Sequence, residues 1–196
     1  MRSPRMAVVQ LHPQAPDGAL TTVHVAVHDA AATDLRVALL RGQRLGAWCA
    51  ARGVDDALVG GFFTRPATEP LGELRTRGIL RRHVAFDAPW DDLRACVHVG
   101  GGAVERHPRA ALGVGDGRLL AVVCDGRART DAGLTLEELA EVLVALGARE
   151  ALNLDGGGSA TLVAGGRVRN RPRAGFGVPE PGGRPVATAL LFVPRR

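Results

Sequence analysis

Residues 151–163, ALNLDGGGSATLV, combine polar side chains with an unusually open backbone. Asp155 supplies a carboxylate, which can act as a nucleophile or a base, directly before the glycine run 156–158. Asn153 lies two residues earlier, so in an extended strand its side chain points to the same face as Asp155. Consecutive glycines lose much conformational entropy on folding. They therefore predict either a positive φ angle or a close approach of another group, and exposed N–H groups there can bind an anion.

The familiar glycine-rich motifs do not fit this segment. No Gly-Lys-Ser/Thr follows the run, which excludes the nucleotide-binding P-loop, and no GxGxxG pattern is present. Ser159 has no glycine two residues on, so the nucleophile elbow is excluded as well. A purely structural alternative for Asp155 stays open, because aspartate commonly caps a turn.

Composition limits the classes of partner. A chain of 196 residues with 46% apolar residues predicts one globular domain, 1–196. All 25 basic residues are arginine, the formal net charge is +5, and aromatic residues make up only 4%. Few stacking platforms and no dense basic run argue against nucleic-acid binding. Anionic small molecules and sugar phosphates fit better, because guanidinium groups match phosphate geometry.

The cysteines and acidic residues show no metal-site or disulfide spacing. Cys49, Cys96 and Cys124 are widely separated and are interpreted as small buried side chains. Three acidic residues around Trp90 are interpreted as a solvated loop rather than a cation site: Asp87, Asp91 and Asp92. The sequence therefore predicts no metal and no cofactor.

The first residues lack the apolar stretch of a signal peptide, and no stretch reaches 18 apolar residues. We therefore predict a cytoplasmic protein without a membrane span. Nothing in the sequence indicates an oligomeric state.

The elements that must position Asp155 are mainly strands. Period-two alternation predicts a strand over 21–29, with 35–42 as its antiparallel neighbour. A short helix over 47–54 and a strand over 55–63 follow. Residues 109–126 predict a hairpin that turns at Gly-Asp-Gly, since Asp-Gly is a preferred tight turn.

One principal helix is predicted over 134–148, where Thr135 and Glu138 fit a capping box and Gly147 fits a C-terminal cap. It leads into a buried strand that ends at Asp155. A second hairpin over 160–170 and a final strand over 184–193 complete the chain. The predicted fold class is α+β, a mainly antiparallel or mixed sheet with the helix (about 135–147) packed on it.

The segment LTLEELAEVLVALGAREALNLDGGGSATLV resembles the signature of the phosphodiester glycosidase family, which includes the uncovering enzyme and many bacterial relatives. Four further segments are similar to family motifs in the same order: DALVGGFF (56–63), HPRAALGVGDGRLLAVVCDGR (107–127), VRNRP (168–172) and GGRPVATALLFV (182–193). The resemblance covers about 56–193. Val59 stands where the family usually has asparagine, Ala110 where it has threonine, and Arg184 where glutamate is common.

The resemblance implies hydrolysis of a sugar-1-phosphodiester to free sugar and a phosphomonoester. Ordinary glycosidases need two carboxylates, but a phosphomonoester departs as a stable anion and needs a cation instead. Asp155 would attack the anomeric carbon or activate water, and Asn153 would bind a sugar hydroxyl or orient the carboxylate. Arg109 and Arg127, at opposite ends of the first hairpin, would hold the phosphate.

Ten further residues are predicted to bind substrate: Gly60, Gly61, Phe62, Asp125, Gly156, Gly157, Gly158, Ser159, Thr161 and Asn170. His107, beside Arg109, could titrate near neutral pH, but we interpret it as a surface residue. Because Val59 replaces the asparagine that is usual in the family, a second function stays open: a non-catalytic protein that binds glycan phosphates or sugar nucleotides.

Overall fold

The computed structural model describes residues 7–64, 69–71, 75–76, 79–80 and 105–195. In chain order its elements are β1 (Ala7–Leu11), β2 (Val23–Asp29), β3 (Thr33–Arg44), α1 (Leu45–Ala50), β4 (Ala57–Val59), β5 (Arg75–Thr76), β6 (Ile79–Leu80), β7 (Arg109–Gly115), β8 (Arg118–Cys124), α2 (Leu136–Ala145), β9 (Glu150–Asn153), β10 (Leu162–Ala164), β11 (Arg167–Val168) and β12 (Pro185–Pro194). Single 3₁₀ turns occupy Gly157–Ser159 and Gly175–Gly177.

Two five-stranded antiparallel sheets form the framework. The first sheet has the order β1-β2-β8-β7-β9, and the second has the order β11-β10-β4-β12-β3. One hydrophobic core lies between the sheets, where Ala121 and Val123 of β8 join Leu58 of β4 and Ala189 of β12. A second core lies on the other face of the first sheet, beneath helix α2. The predicted α+β class, mainly antiparallel with one principal helix, is confirmed.

Helix α2 begins at the predicted capping box. The Thr135 side chain accepts a hydrogen bond from the Glu138 N–H at 3.0 Å, and the Glu138 carboxylate accepts one from the Thr135 N–H at 2.9 Å. Leu139 and Leu143 are buried against the first sheet, and Gly147 ends the helix with a φ of 88°. Among the described residues, no helix is long and apolar enough to cross a membrane.

Both predicted hairpins are confirmed. Strands β7 and β8 turn at Asp116 and Gly117, whose φ angles of 50° and 71° are those of a tight hairpin turn. Strands β10 and β11 turn at Gly165 and Gly166, with φ angles of 58° and 71°.

Two predictions about the strands are wrong. Strand β3 does not pair with β2, because β2 already has β1 and β8 on its two sides, so β3 lies along β12 in the other sheet. Strand β9 is an exposed edge strand that pairs only with β7 and ends at Asn153, not Asp155. An apolar run such as Ala-Leu does not reveal whether its strand has one neighbour or two.

Two element bounds also shift. The helix predicted over 47–54 is α1, Leu45–Ala50, and the strand predicted over 55–63 is only Ala57–Val59. The chain leaves the sheet at Gly60, where a Cβ would lie 2.2 Å from the Thr188 Oγ1. This close approach places the backbone of Gly60 directly beside β12.

Candidate active site

The glycine run forms a turn in which each glycine has its own steric reason. Gly157 has a φ of 60°, in the left-handed region that other residues rarely adopt. A Cβ on Gly156 would lie 2.8 Å from the Pro108 carbonyl oxygen, and the N–H of Gly157 donates to that same oxygen at 2.8 Å. Both alternatives raised by the sequence therefore apply: positive φ at Gly157 and a close approach at Gly156.

Two guanidinium groups lie against this turn. A Cβ on Gly157 would lie 2.9 Å from Arg127 Nη1 and 3.0 Å from Arg184 Nη2. A Cβ on Gly158 would lie 3.1 Å from Arg184 Nε. Among the described residues, the ion pairs include neither arginine. Two like charges thus face one glycine, and an anion bound between them would remove their repulsion.

Arg127 is fixed by its surroundings. Its backbone has a φ of 58°, which turns the chain after the Asp125-Gly126 pair. Its Nη1 donates to the Arg173 carbonyl oxygen at 3.4 Å, and its Nη2 donates to His107 Nδ1 at 3.4 Å. The side chain is therefore tethered on two sides while its Nη1 also lies beside Gly157.

Arg184 arrives from the other sheet. Its N–H donates to the Gly158 carbonyl oxygen at 2.9 Å, immediately before β12 begins at Pro185. Its Nε is buried and has no hydrogen-bond partner. Our prediction of the site omitted Arg184. One signal in the sequence could have pointed to Arg184, namely its position directly after Gly182 and Gly183. Paired glycines can mark a close approach of the backbone to another segment, and a Cβ on Gly183 would lie 2.2 Å from Thr161 Oγ1.

Arg109 holds two segments together. Its Nε donates to the Leu134 carbonyl oxygen and its Nη2 to the Glu105 carbonyl oxygen, both at 3.0 Å. Burial lowers the pKa of Arg109, and the nearby charge of Arg127 lowers it further. These bonds tie the start of β7 to the residues before helix α2. Phosphate binding by Arg109 stays a prediction.

Asp155 lies between the two sheets at the start of the turn. Its N–H donates to the Gly60 carbonyl oxygen at 3.0 Å, and the residue is half-buried. Gly61 has no neighbour within 4 Å of a Cβ position, and the side chain of Phe62 is 48% exposed. The structure therefore brings the predicted wall of Gly60, Gly61 and Phe62 close to Asp155.

Two buried hydroxyl groups follow the turn. Ser159 Oγ and Thr161 Oγ1 are buried without a hydrogen-bond partner. Buried polar groups are nearly always paired, so each such atom calls for an explanation. With Arg184 Nε, they form a group of donors without partners around the glycine turn.

Asp125 and Asn170 support the backbone around the site. Asp125 Oδ2 lies 3.1 Å from His24 Nε2, and Asp125 Oδ1 accepts from the Arg171 N–H at 2.6 Å. Asn170 donates to the Ala160 carbonyl oxygen at 2.8 Å and accepts from the Leu162 N–H at 3.0 Å. Substrate contacts of these two side chains stay predictions, and the bonds show that both residues fix the chain on either side of the turn.

Asn153 lies at a different surface. It lines a cleft of about 120 Å³ between helix α2 and strands β7 and β9, together with apolar residues such as Leu136 and Leu143. Its Oδ1 is buried without a partner. The cleft is not lined by Arg127, by Arg184 or by any of the glycines 156–158. The predicted role of Asn153 toward the sugar stays a prediction.

Two of the three departures from the family pattern lie in the core, and the third, Arg184, lies at the glycine turn. Val59 and Ala110 are both 0% exposed and belong to the hydrophobic cluster between the sheets. Cys49 and Cys124 are free and buried, and burial raises the pKa of their thiols to about 11 and about 12. Both thiols therefore stay protonated at neutral pH. Cys96, Asp87, Asp91 and Asp92 lie outside the described residues.

In the described part of the chain, no group of three or more histidine, cysteine or acidic side chains could hold a metal ion. The fold brings the carboxylate-bearing residue Asp155 and the guanidinium groups of Arg127 and Arg184 to one buried glycine turn. That set can bind an anionic ester and attack a carbon atom next to it.

A short hairpin borders the site beyond Arg127. Arg173 and Pro179 pair as an isolated bridge, and the Arg173 side chain donates to the Gly177 carbonyl oxygen at 2.8 Å. Phe176 at its tip is fully exposed with a φ of 56°. The base of the hairpin contacts the turn, since the Ala174 Cα would lie 3.4 Å from a Cβ on Gly158.

Comparisons with solved structures show the same fold. The catalytic domain of zebrafish N-acetylglucosamine-1-phosphodiester alpha-N-acetylglucosaminidase, auto-inhibited by its pro-peptide, is 17% identical, with a TM-score of 0.69; the match covers 97% of this chain and 83% of that chain. A hypothetical protein from Synechocystis is 15% identical, with a TM-score of 0.67 and coverage of 98% and 64%. A protein from Burkholderia pseudomallei K96243 is 16% identical, with a TM-score of 0.68 and coverage of 92% and 75%.

The comparison with curated proteins finds no match. The family model described as "Phosphodiester glycosidase" matches residues 87–193, more than half of the chain. This match spans the first hairpin, helix α2, the glycine turn and strand β12, which are the elements that build the site. The chain therefore belongs to the phosphodiester glycosidase family.

Proposed function

We propose that this protein hydrolyses the glycosidic bond of a sugar-1-phosphodiester and releases free sugar and a phosphomonoester. One observation carries the proposal: Arg127 Nη1 and Arg184 Nη2 lie within 3.0 Å of the Cβ position of Gly157, two residues after Asp155. Membership of the phosphodiester glycosidase family supports the same chemistry.

The reaction needs a single carboxylate. Either Asp155 attacks the anomeric carbon and water then hydrolyses the glycosyl ester that forms, or Asp155 takes a proton from a water molecule that attacks the carbon directly. In both routes the bond from the anomeric carbon to the phosphate oxygen breaks. The electron pair stays on the phosphate oxygen, so the leaving group departs as a phosphomonoester without an added proton. Guanidinium groups neutralise the charge that develops, and preorganised donors of this kind supply several kcal/mol.

Arg184 takes the place that the sequence suggested for Arg109. In this proposal Arg127 and Arg184 hold the phosphate from two sides, and Arg109 keeps β7 and the segment before α2 in place. The hydroxyl groups of Ser159 and Thr161 are without partners in the structure and would contribute hydrogen bonds to the bound substrate. Arg184 is therefore expected to affect substrate affinity more than Arg109 does.

The test is incubation with a panel of α- and β-glycosyl phosphodiesters, with products followed by mass spectrometry. The expected result is free sugar and phosphomonoester from at least one compound. Asp155→Asn should reduce kcat by about 10³-fold or more, with nearly the same melting temperature. Undiminished turnover by this variant, or a large loss of stability, would contradict the assigned role.

The alternative function is binding of glycan phosphates or sugar nucleotides without turnover. It was motivated by Val59, whose side chain is fully buried between the sheets. The same panel separates the two functions. Saturable binding with no product over long incubation would establish the binding protein and overturn the hydrolase.

A further inference from the structure

We infer that His107 is a positioning residue that holds the Arg127 guanidinium at the glycine turn only while its imidazole is neutral, so that substrate affinity falls as His107 takes up a proton. The inference rests on the proposed function. It gives a role to a side chain that we interpreted from the sequence as a surface residue and that is 35% exposed.

The His107 ring lies between the carboxylate of Glu105 and the guanidinium of Arg127. Its Nδ1 is 3.4 Å from Arg127 Nη2, and its Nε2 is 3.2 Å from Glu105 Oε2. Arg127 in turn places Nη1 beside Gly157. A chain of contacts therefore runs from Glu105 through His107 to the arginine proposed to bind phosphate.

The partners determine the tautomer. A guanidinium nitrogen can only donate a hydrogen bond, so His107 Nδ1 must accept from Arg127. The ring proton is then on Nε2, where it donates to the carboxylate of Glu105. Both contacts are satisfied together only by the neutral imidazole with its proton on Nε2.

Protonation breaks this arrangement. A second ring proton on Nδ1 would point at Arg127 Nη2, replacing an acceptor by a donor and adding a like charge. Among the described residues, the charged side chains in contact with His107 are those of Glu105 and Arg127, and the Arg109 guanidinium donates to the Glu105 carbonyl oxygen nearby.

The backbone of His107 cannot shift to relieve the conflict. It forms a bridge with Leu134, with both N–H to carbonyl distances at 3.1 Å. A Cβ on Gly133 would lie 2.5 Å from the His107 carbonyl carbon, and a Cβ on Gly126 would lie 2.8 Å from the Pro108 nitrogen. Three backbone segments are therefore in direct contact, so only side chains can move, and a movement of either the ring or the Arg127 guanidinium breaks the contact between them.

The first experiment is a pH profile of KM and kcat from pH 5.5 to 8 with the best substrate of the panel. A phosphodiester keeps one negative charge across this range, so any change in its affinity comes from the protein. For the wild type, KM should rise about tenfold toward pH 5.5, because the loss of one hydrogen bond to a charged group is enough to weaken binding about tenfold. His107→Asn offers an amide oxygen near the position of Nδ1 but cannot be protonated, so its KM should stay flat.

Two variants make the comparison sharp. His107→Leu removes the acceptor and should raise KM at every pH, so recovery in the Asn variant separates the hydrogen bond from the space filled by the ring. His12 is exposed and is not among the residues of the site, so His12→Asn should keep the wild-type profile. A wild-type inflection in KM that persists in His107→Asn would overturn the inference.

The second experiment does not need turnover. Nitrogen-15 NMR of the histidine rings should show the His107 proton on Nε2 at pH 8. In Arg127→Met the Nδ1 signal should move toward that of a nitrogen without a hydrogen-bond donor, because the contact with Arg127 is lost. A proton on Nδ1, or an Nδ1 signal that does not move in Arg127→Met, would overturn the inference.

The outcomes also distinguish the two proposals. If the NMR result is as expected and binding of dimethyl phosphate weakens toward pH 5.5 while no panel compound is cleaved, the hydrolase proposal fails and the role of His107 stands. If turnover occurs with a KM that is independent of pH, the hydrolase stands and the role of His107 fails.

Discussion

A glycine turn lies at each end of strand β7, and the two turns differ in the charged groups around them. At the far end, Asp116 accepts from Arg149 at 2.6 Å, and Gly117 has open space where a Cβ would be. At the near end, Gly157 has two guanidinium groups against it, and polar atoms close by are buried without partners. One end of β7 thus leads into a turn whose charges are paired, and the other end lies beside a turn that two like charges face.

Under the proposed function, this difference separates a structural turn from a substrate-binding turn. Both contain a glycine with positive φ, so backbone geometry alone does not distinguish them. The difference lies in the ion pairs of the described residues, which include Asp116 with Arg149 but include neither Arg127 nor Arg184. Under the proposed function, the phosphate of the substrate supplies the negative charge at the Gly157 turn.

The largest effect is expected for Gly157→Ala. A Cβ there would strain the left-handed backbone by about 1–2 kcal/mol and contact both guanidinium groups, so kcat/KM should fall about 100-fold or more. Gly117→Ala is the matched control, since its φ of 71° is similar but nothing lies within 4 Å. The control should lose about 1 kcal/mol of stability and keep its activity. Equal losses of activity in both variants would contradict the comparison.

Arg184→Gln comes second. It removes one of two like charges at the turn, so KM should rise by about 10- to 100-fold while the melting temperature does not fall. Arg149→Gln at the other end removes an exposed, paired charge and should change stability by less than about 1 kcal/mol, with no effect on KM. A loss of stability in Arg184→Gln without a change in KM would assign Arg184 a structural role.

His28 tests whether every buried atom without a partner belongs to the site. Its Nε2 is buried without a hydrogen-bond partner, its ring stacks on Phe192 at 4.3 Å, and burial lowers its pKa to about 4. The unfolded chain therefore binds more protons than the folded one between about pH 6.5 and 4, so stability falls as the pH falls through this window.

Replacing His28 by leucine should remove that part of the acid sensitivity. Urea unfolding at pH 7 and pH 5 measures it, and His12→Leu, at an exposed position, is the control. kcat/KM should stay close to the wild-type value, because His28 packs between the sheets. Unchanged acid sensitivity in His28→Leu would show that the ring is not buried in its neutral form.

The smallest effect is expected at the cap of helix α2. Thr135→Ala removes the side chain that accepts from the Glu138 N–H, and should cost about 1 kcal/mol of stability. Thr135→Ser keeps the hydroxyl and should lose less. Because α2 covers the face of the first sheet opposite the second sheet, neither variant should change KM, and a changed KM would link the helix to the site.

Elements with local signals could be predicted from the sequence. The capping box of Thr135 and Glu138 and the turns at Asp116-Gly117 and Gly165-Gly166 depend on neighbouring residues, and all formed as expected. The partner of β3 could not be predicted, because period-two alternation shows which face is apolar but not which strand lies alongside.

The candidate site shows the same limit. Asp155 and its glycines follow from one continuous segment, whereas Arg184 reaches them only through the contact of its backbone with Gly158. Arg109 has a side chain long enough to turn toward Leu134 and Glu105, and no local pattern indicates that direction. Sequence patterns miss residues that are far apart in the chain and come together only in the folded protein.

The backbones around His107, Gly126 and Gly133 are in direct contact, which restricts the residues that can replace the two glycines. Any side chain at either glycine would push apart the segments beneath Arg127, so natural variation has little freedom there. A lineage that acquires a new substrate must therefore diversify the rim, where the hairpin from Arg173 to Pro179 carries the fully exposed Phe176. Diversity among relatives should therefore accumulate on that hairpin while Gly126 and Gly133 stay constant.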